Sequence, residues 1–268
     1  MNRPILAAES VTELGAEVVG AVLVVGSHGG LIACYLGAKA GAHALILNDA
    51  GIGLDKAGIA GLAWLDAIGM AAATVSYLSA RIGDGKDGLE RGIISHANPG
   101  ASAAGVAAWM KAGVAVRLLV DANAPHSPPP SYAEGRWKLG QVRELEVWTL
   151  DSVGKLLPDD AGRVLLIGSH GALHGGRPDS ALNHGGHAIA ARAAAFNDAG
   201  IGIDGVGTTR LPELARRGIP AVTVACTSAR IGDGRSMHAS GVISCVNECA
   251  RSAGANVGDR LADWVATL

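Results

Sequence analysis

The chain is written twice, and that constrains its fold more than any other feature. The stretch Asn48-Asp49-Ala50-Gly51-Ile52-Gly53-Leu54-Asp55 recurs as Asn197-Asp198-Ala199-Gly200-Ile201-Gly202-Ile203-Asp204. Ser79-Ala80-Arg81-Ile82-Gly83-Asp84-Gly85 recurs unchanged from Ser228 to Gly234. Both pairs are offset by 149 residues, as are Ile94-Ser95 with Ile243-Ser244 and Asn98 with Asn247. Gly26-Ser27-His28-Gly29 matches Gly168-Ser169-His170-Gly171 at an offset of 142, so the second copy carries seven extra residues after its histidine. Collinear matches at one offset mark an internal repeat. The copies span residues 1–120 and 145–268. The stretch between them, 121–144, contains Pro128-Pro129-Pro130, which no helix or central strand can continue, and reads as a linker.

Within each copy, short apolar runs alternate with helical stretches. Strands are expected at Ala21–Val25, Ala44–Leu47, Ala72–Ser76 and Gly92–Ser95 in the first copy. In the second they fall at Val164–Ile167, Ala193–Phe196, Ala221–Ala225 and Gly241–Ser244, and Val142–Leu150 reads as an edge strand. Helices are expected at stretches such as Ala57–Ile68 and Arg210–Arg217. Continuously apolar strands between helices imply parallel sheets covered on both faces. The predicted class is therefore α/β, with two duplicated Rossmann-like halves, mainly parallel sheets and a pseudo-twofold relation.

The polar repeats all follow predicted strands. Ligands of open parallel sheets bind beyond the strands' carboxyl ends, so these motifs form the candidate site. His28 and His170 suit general acid or base work, since an imidazole titrates near neutrality. Asp49 and Asp198 offer carboxylates as bases or metal ligands, although Asn-Asp before Gly is also turn chemistry. Arg81 and Arg230 present planar forks for a substrate carboxylate. Asp84 and Asp233 follow between glycines as further acid–base groups, the alternative being an Arg–Asp pair that pins the loop. Ser27, Asn48, Ser79, Ser95, Ser169, Asn197, Ser228 and Ser244 complete the polar set as substrate-binding groups. Asp55 and Asp204 sit where helices should begin and read as N-caps.

The copies also diverge. Cys226 replaces Tyr77, Cys245 replaces His96 and Arg235 replaces Lys86. His174, His184 and His187 occur only in the second copy, and with His170 they could hold a divalent metal. Cys245 and Cys249, four apart, could share a helix face, but read rather as buried structural thiols. Ala225-Cys226-Thr227-Ser228 resembles, over four residues, the aspartate/glutamate racemase superfamily, another duplicated α/β design. That chemistry needs a second thiol, and Tyr77 stands where it would be.

Composition excludes several classes. Glycine makes up 39 of 268 residues without a three-residue period, so collagen is out. Hydrophobic residues are 49 % and charged residues 17 %, which excludes disorder. With 22 basic and 24 acidic residues and no basic run, no nucleic-acid partner is expected. Mean hydropathy is +0.29, yet every apolar run breaks before a membrane span is complete. Met1-Asn2-Arg3-Pro4 soon meets Glu9 and Glu13 and makes a poor signal peptide. Four unevenly spaced cysteines suggest reduced thiols and a cytoplasmic protein. A dinucleotide fingerprint, a Walker A loop and a Gly-x-Ser-x-Gly elbow are all missing. The sequence therefore points to an enzyme acting on a small carboxylate-bearing metabolite by His/Asp acid–base chemistry. Hydrolysis of an amide-type C–N bond is the leading reaction. A lyase or isomerase step, or a non-catalytic small-ligand sensor, is the alternative. The Gly/Ala-rich, aromatic-poor composition suggests a homo-oligomer.

Overall fold

The computed structural model describes residues 3–268; Met1 and Asn2, from the N-terminal stretch read as a poor signal peptide, lie outside it. The chain divides into two compact units. The first holds the residues through Ile52, those from Lys56 to Ala133, and the tripeptide Gly202–Asp204. The second holds Gly53–Asp55, Glu134–Ile201 and Gly205–Leu268. Both are mixed α/β with mostly parallel sheets.

In the first unit, β1 (Ile5–Ala8), β2 (Val22–His28), β3 (Ala44–Asn48) and β4 (Ala72–Val75) pair in parallel, in chain order. The last strand, β5 (Ile94–Ala97), is antiparallel to β4. It starts two residues later than the apolar run suggested. Helix α1 (Leu31–Lys39) follows β2 and α2 (Gly61–Asp66) follows β3. Helices α3 (Gly85–Arg91), α4 (Pro99–Ala103) and α5 (Ala112–Leu119) complete the unit. The α2 helix is shorter than Ala57–Ile68, because the amides of Gly58 and Ile59 donate to the carbonyls of Ile52 and Lys56 in the preceding turn. Strand side chains alternate between faces. Leu23, Val25, Leu45 and Leu47 join the α1/α2 layer, and Val22, Val24, Ala44 and Ile46 join the α3/α5 layer. Burial on both faces is why β2, β3 and β4 read as continuous apolar runs.

In the second unit, β6 (Arg136–Val142) and β7 (Leu145–Leu150) form an antiparallel hairpin, and β7 pairs in parallel with β8 (Val164–His170). Residues read as the end of a linker are thus an edge strand, and β7 lies inside the sheet. The irregular part of that linker, 122–133, belongs to the first unit, where the His126 amide donates to the Ile68 carbonyl. A two-residue hairpin, β9 (Asn183–His184) and β10 (His187–Ala188), occupies the second copy's insertion. Beyond it come β11 (Ala193–Asn197), α6 (Arg210–Arg216), β12 (Ala221–Val224), α7 (Gly234–Ser240), β13 (Ile243–Val246), α8 (Glu248–Ser252) and α9 (Leu261–Val265). The sheet runs β13-β12-β11-β8-β7-β6, with β13 again antiparallel. Among the described residues no helix is long and apolar enough to cross a membrane.

Because each sheet runs in chain order, no reversal of strand order opens a crevice at the carboxyl ends. Instead the Ser-Ala-Arg-Ile-Gly-Asp-Gly segment crosses that edge. After β4 it runs back over β3 and β2 to start α3, and the Gly83 amide donates to the Gly26 carbonyl at 2.7 Å. The Gly232 amide donates to Gly168 at 2.9 Å in the second unit. A Cβ on Gly26 would collide with the Asp84 amide and the Glu9 carbonyl, and one on Gly168 would lie 2.6 Å from the Asp233 amide. Glycine is required there because backbone crosses backbone. Gly26→Ala is therefore expected to destabilise the protein by about 1–3 kcal/mol or more, as overpacking does. A urea midpoint equal to that of the parent chain would contradict the crossing.

Candidate functional site

Most repeated polar side chains serve the crossing itself. Asn48 donates to the Ala80 carbonyl at 3.1 Å and accepts from the Ala50 amide at 2.9 Å; Asn197 does the same with Ala229 and Ala199. Ser79 and Ser228 donate to the carbonyls of Ser76 and Ala225 and accept from the amides of Ile93 and Val242. Ser27 and Ser169 accept from Val11 and Val153. Asp84 and Asp233 cap α3 and α7 by accepting from the Asp87 and Ser236 amides, both at 2.9 Å. Asn98 and Asn247 each satisfy two amides and two carbonyls. Buried backbone groups left unpaired are costly, which explains why these residues recur in both copies.

The arginines are also occupied. In the first unit Arg81 lies 2.7 Å from Asp204 and 3.8 Å from Asp87, and Arg91 binds the same two carboxylates. In the second, Arg230 bonds Asp55 at 2.9 Å and Asp233 at 3.1 Å. The expected N-caps Asp55 and Asp204 are thus ion-pair partners. Each has positive φ, 54° and 58°, and neither occupies the extended conformation a cap needs. A substrate carboxylate at Arg81 or Arg230 would have to displace a protein carboxylate.

His28 and His170 are the last residues of β2 and β8 and are buried. His28 Nδ1 accepts from the Gly30 amide at 3.1 Å, and His170 Nδ1 from the Ala172 amide at 3.3 Å. Accepting at Nδ1 places the proton of a neutral ring on Nε2. Burial holds the His28 pKa down at about 4. The neutral ring is then a hydrogen-bond donor, with no free lone pair to act as a base.

Asp49 and Asp198 differ from the other repeated acids. Asp49 Oδ1 accepts from the Gly51 amide at 3.2 Å and the Tyr77 amide at 2.9 Å. Asp198 Oδ1 accepts from Gly200 and Cys226, both at 2.8 Å. Burial raises the Asp49 pKa, opposed by the Tyr77 amide, the Ser95 hydroxyl, the Gly51 amide and the nearby His96. A turn of left-handed backbone follows each aspartate. Ala50, Gly51, Ile52 and Gly53 have φ of 49°, 73°, 63° and 69°, and Ala199 to Gly202 repeat these values within 3°. A β-branched residue at positive φ is an outlier, and such strain concentrates at functional sites.

Opposite each aspartate is a β-bulge. Val75 pairs with Ile94 and Thr74 with His96, so Ser95 is the extra residue, and Val224/Ile243 with Thr223/Cys245 repeat the pattern around Ser244. Bulges re-aim side chains beside sites. Here the Ser95 hydroxyl lies 3.0 Å from Thr74 Oγ1, and Ser244 lies 3.0 Å from Thr223. His96 Nδ1 is buried with no described hydrogen-bond partner. In the second unit Cys245 replaces it. Burial and the Asp198 charge raise that thiol's pKa, partly offset by Thr223, so it stays protonated near neutrality. A pocket of about 510 Å³ opens there, lined by Thr208, Leu211, Ala215, Arg216, Cys245 and Glu248 among others. Of the predicted residues, the structure gathers Asp49 with Ser95, and Ser244 holds the corresponding bulge position in the second unit. Thr74, Thr223, His96 and Cys245 were not assigned from sequence. A threonine inside both apolar strands, at the repeat offset, was the available signal for two of them.

The expected metal set does not assemble. His170 and His174 have ring centroids 5.8 Å apart, but His184 and His187 are exposed on β9 and β10. Among the described residues no three His, Cys, Asp or Glu side chains form a group suited to a metal ion. All four cysteines are free thiols; Cys245 and Cys249 lie on a strand and a helix, not on one helix face, and are half-buried rather than buried. Comparison with models of known families, with curated proteins and with solved structures gives no match.

Two outcomes follow. Because the folded pKa of His28 is depressed, the unfolded chain binds the extra proton between about pH 6.5 and 4. Stability then falls with acidification across that window, by up to roughly 1.4 kcal/mol per pH unit for one group. His28→Gln should remove about one proton from that slope in denaturation measured from pH 7 to pH 4; an unchanged slope would contradict it. Ile201 is 40 % exposed at φ 64°. Ile201→Gly should raise stability by about 1 kcal/mol through relief of left-handed strain, and a loss in the same urea assay would refute that strain.

Proposed function

We propose that the protein is an enzyme acting on a small polar metabolite by acid–base chemistry at the bulge-linked aspartates, with hydrolysis of an amide-type C–N bond as the reaction. The carrying observation is that burial lifts the Asp49 pKa while a bulge turns Ser95 beside it and leaves His96 Nδ1 unpartnered. A carboxylate displaced upward in pKa is better matched to proton transfer near neutral pH. In this reading Asp49 takes a proton from water as its oxygen attacks the amide carbon. His96 gives a proton to the nitrogen as the C–N bond breaks, and the Ser95 hydroxyl holds the carboxylate in place. Each unit is taken as one copy of a duplicated Rossmann-like half. The second would work on Asp198, Ser244 and Cys245, a protonated thiol in the place of the imidazole. Supporting the reading are the left-handed turns after both aspartates, which hold the β-branched Ile52 and Ile201 at positive φ.

Ammonia release from a panel of small amides that carry a carboxylate tests this. Asp49→Asn should lower the rate by about 10²–10⁴ with the thermal midpoint nearly unchanged. No turnover anywhere on the panel, or turnover indifferent to Asp49→Asn, would reject the hydrolase. A proton-transfer lyase or isomerase would instead exchange substrate C–H with deuterated water without releasing ammonia.

A further inference from the structure

Arg210 is among the most thoroughly buried large side chains of the protein, 1 % exposed. It opens α6, and Nη1 donates to the carbonyls of Ser180 and Ala181. Nε and Nη2 are buried with no hydrogen-bond partner among the described residues, and no carboxylate pairs with the guanidinium there. The Phe196 ring lies on one side, 5.3 Å from the guanidinium carbon. Leu173, Ala181, Leu182, Leu211 and Leu214 belong to the surrounding apolar cluster. An unpaired charge in such surroundings costs several kcal/mol, and burial alone lowers the Arg210 pKa to about 9.

The residue is peculiar to the second copy. At the 149-residue offset the first copy has Gly61, where a Cβ would collide with the Cys34 thiol. The segment over Arg210, residues 173–192, is likewise the one lengthened by insertion. It consists of 3₁₀ turns and the β9–β10 hairpin. It is held to α6 by the two Arg210 bonds, by Arg217 to the carbonyls of Leu182 and Ile189, and by the Leu173 amide to Thr209. Insertion and arginine therefore occur together.

The geometry points to a carboxylate-binding site in the second unit, in which the Nε and Nη2 edge of Arg210 receives a small monocarboxylate beneath the 173–192 segment. That edge is the pair of parallel donors that matches a carboxylate in two bonds. The side chains around that edge are apolar, as the aliphatic remainder of such a ligand requires. A phosphate dianion, which needs more donors than two, does not fit them. The assignment is independent of the reaction proposed above and uses none of its residues.

Propionate titrated into the full chain at constant ionic strength, with chloride as balancing salt, tests it. A ligand bound only by the folded state raises the thermal midpoint saturably. The expected result is such a rise together with slowed hydrogen exchange in residues 173–192. Arg210→Lys keeps the charge but loses the fork and should bind about tenfold or more weakly; Arg210→Met should show no saturable effect. Absence of saturation in the parent chain, or equal affinity in Arg210→Lys, overturns the site. A saturable response to inorganic phosphate overturns the carboxylate assignment. If Arg210→Met does not fold, the parent chain and Arg210→Lys still decide the question.

Discussion

The backbone crossing at Gly26 and Gly168 is the constraint on which each unit rests. A loop that leaves the fourth parallel strand must return across two neighbours before its helix can begin, and it passes close enough to exclude any side chain. Its amides and carbonyls would be stranded over the sheet edge without partners. Asn48 and Asn197 hold its midpoint, Ser79 and Ser228 tie its start to the antiparallel strand, and Asp84 and Asp233 cap the helix it enters. The long sequence repeats are thus mostly the polar fittings of one backbone path, made twice.

Asn48 and Asn197 are fully accounted for by the groups they satisfy, whereas Asp49 and Asp198 are each followed by four residues of left-handed backbone. The bulge supplies a second departure from regular geometry within the same few residues. The turn and the bulge thus meet at one buried carboxylate, Asp49. At the repeat offset His96 of the first unit is Cys245 in the second, a thiol whose pKa burial raises.

Much of this was legible in the sequence. The duplication, the fully buried strands β2, β3 and β8, and the clustering of polar motifs after them could be read from offsets and apolar runs. The roles of those motifs could not. Asn, Asp and Ser beside glycine fit a site and a turn equally well, and only the position of Ala80 or Asp87 decides. Arg81 and Arg230 looked free because their partners, Asp204 and Asp55, are more than a hundred residues away. The bulge at Ser95 was hidden because one extra residue in a four-residue strand leaves its apolar pattern intact. Arg210 was hidden because an arginine opening a helix normally faces solvent.

Hydrogen exchange at the amides of Gly83 and Gly232 tests the central claim most directly. Both lie in glycine-rich loops that would ordinarily exchange quickly. If the crossing is the structural frame, each should exchange as slowly as the central strand amides of its own unit, through global unfolding alone. Exchange at loop rates, orders of magnitude faster than the strands, would mean that the crossing is not the frame, and that the repeated motifs need another explanation.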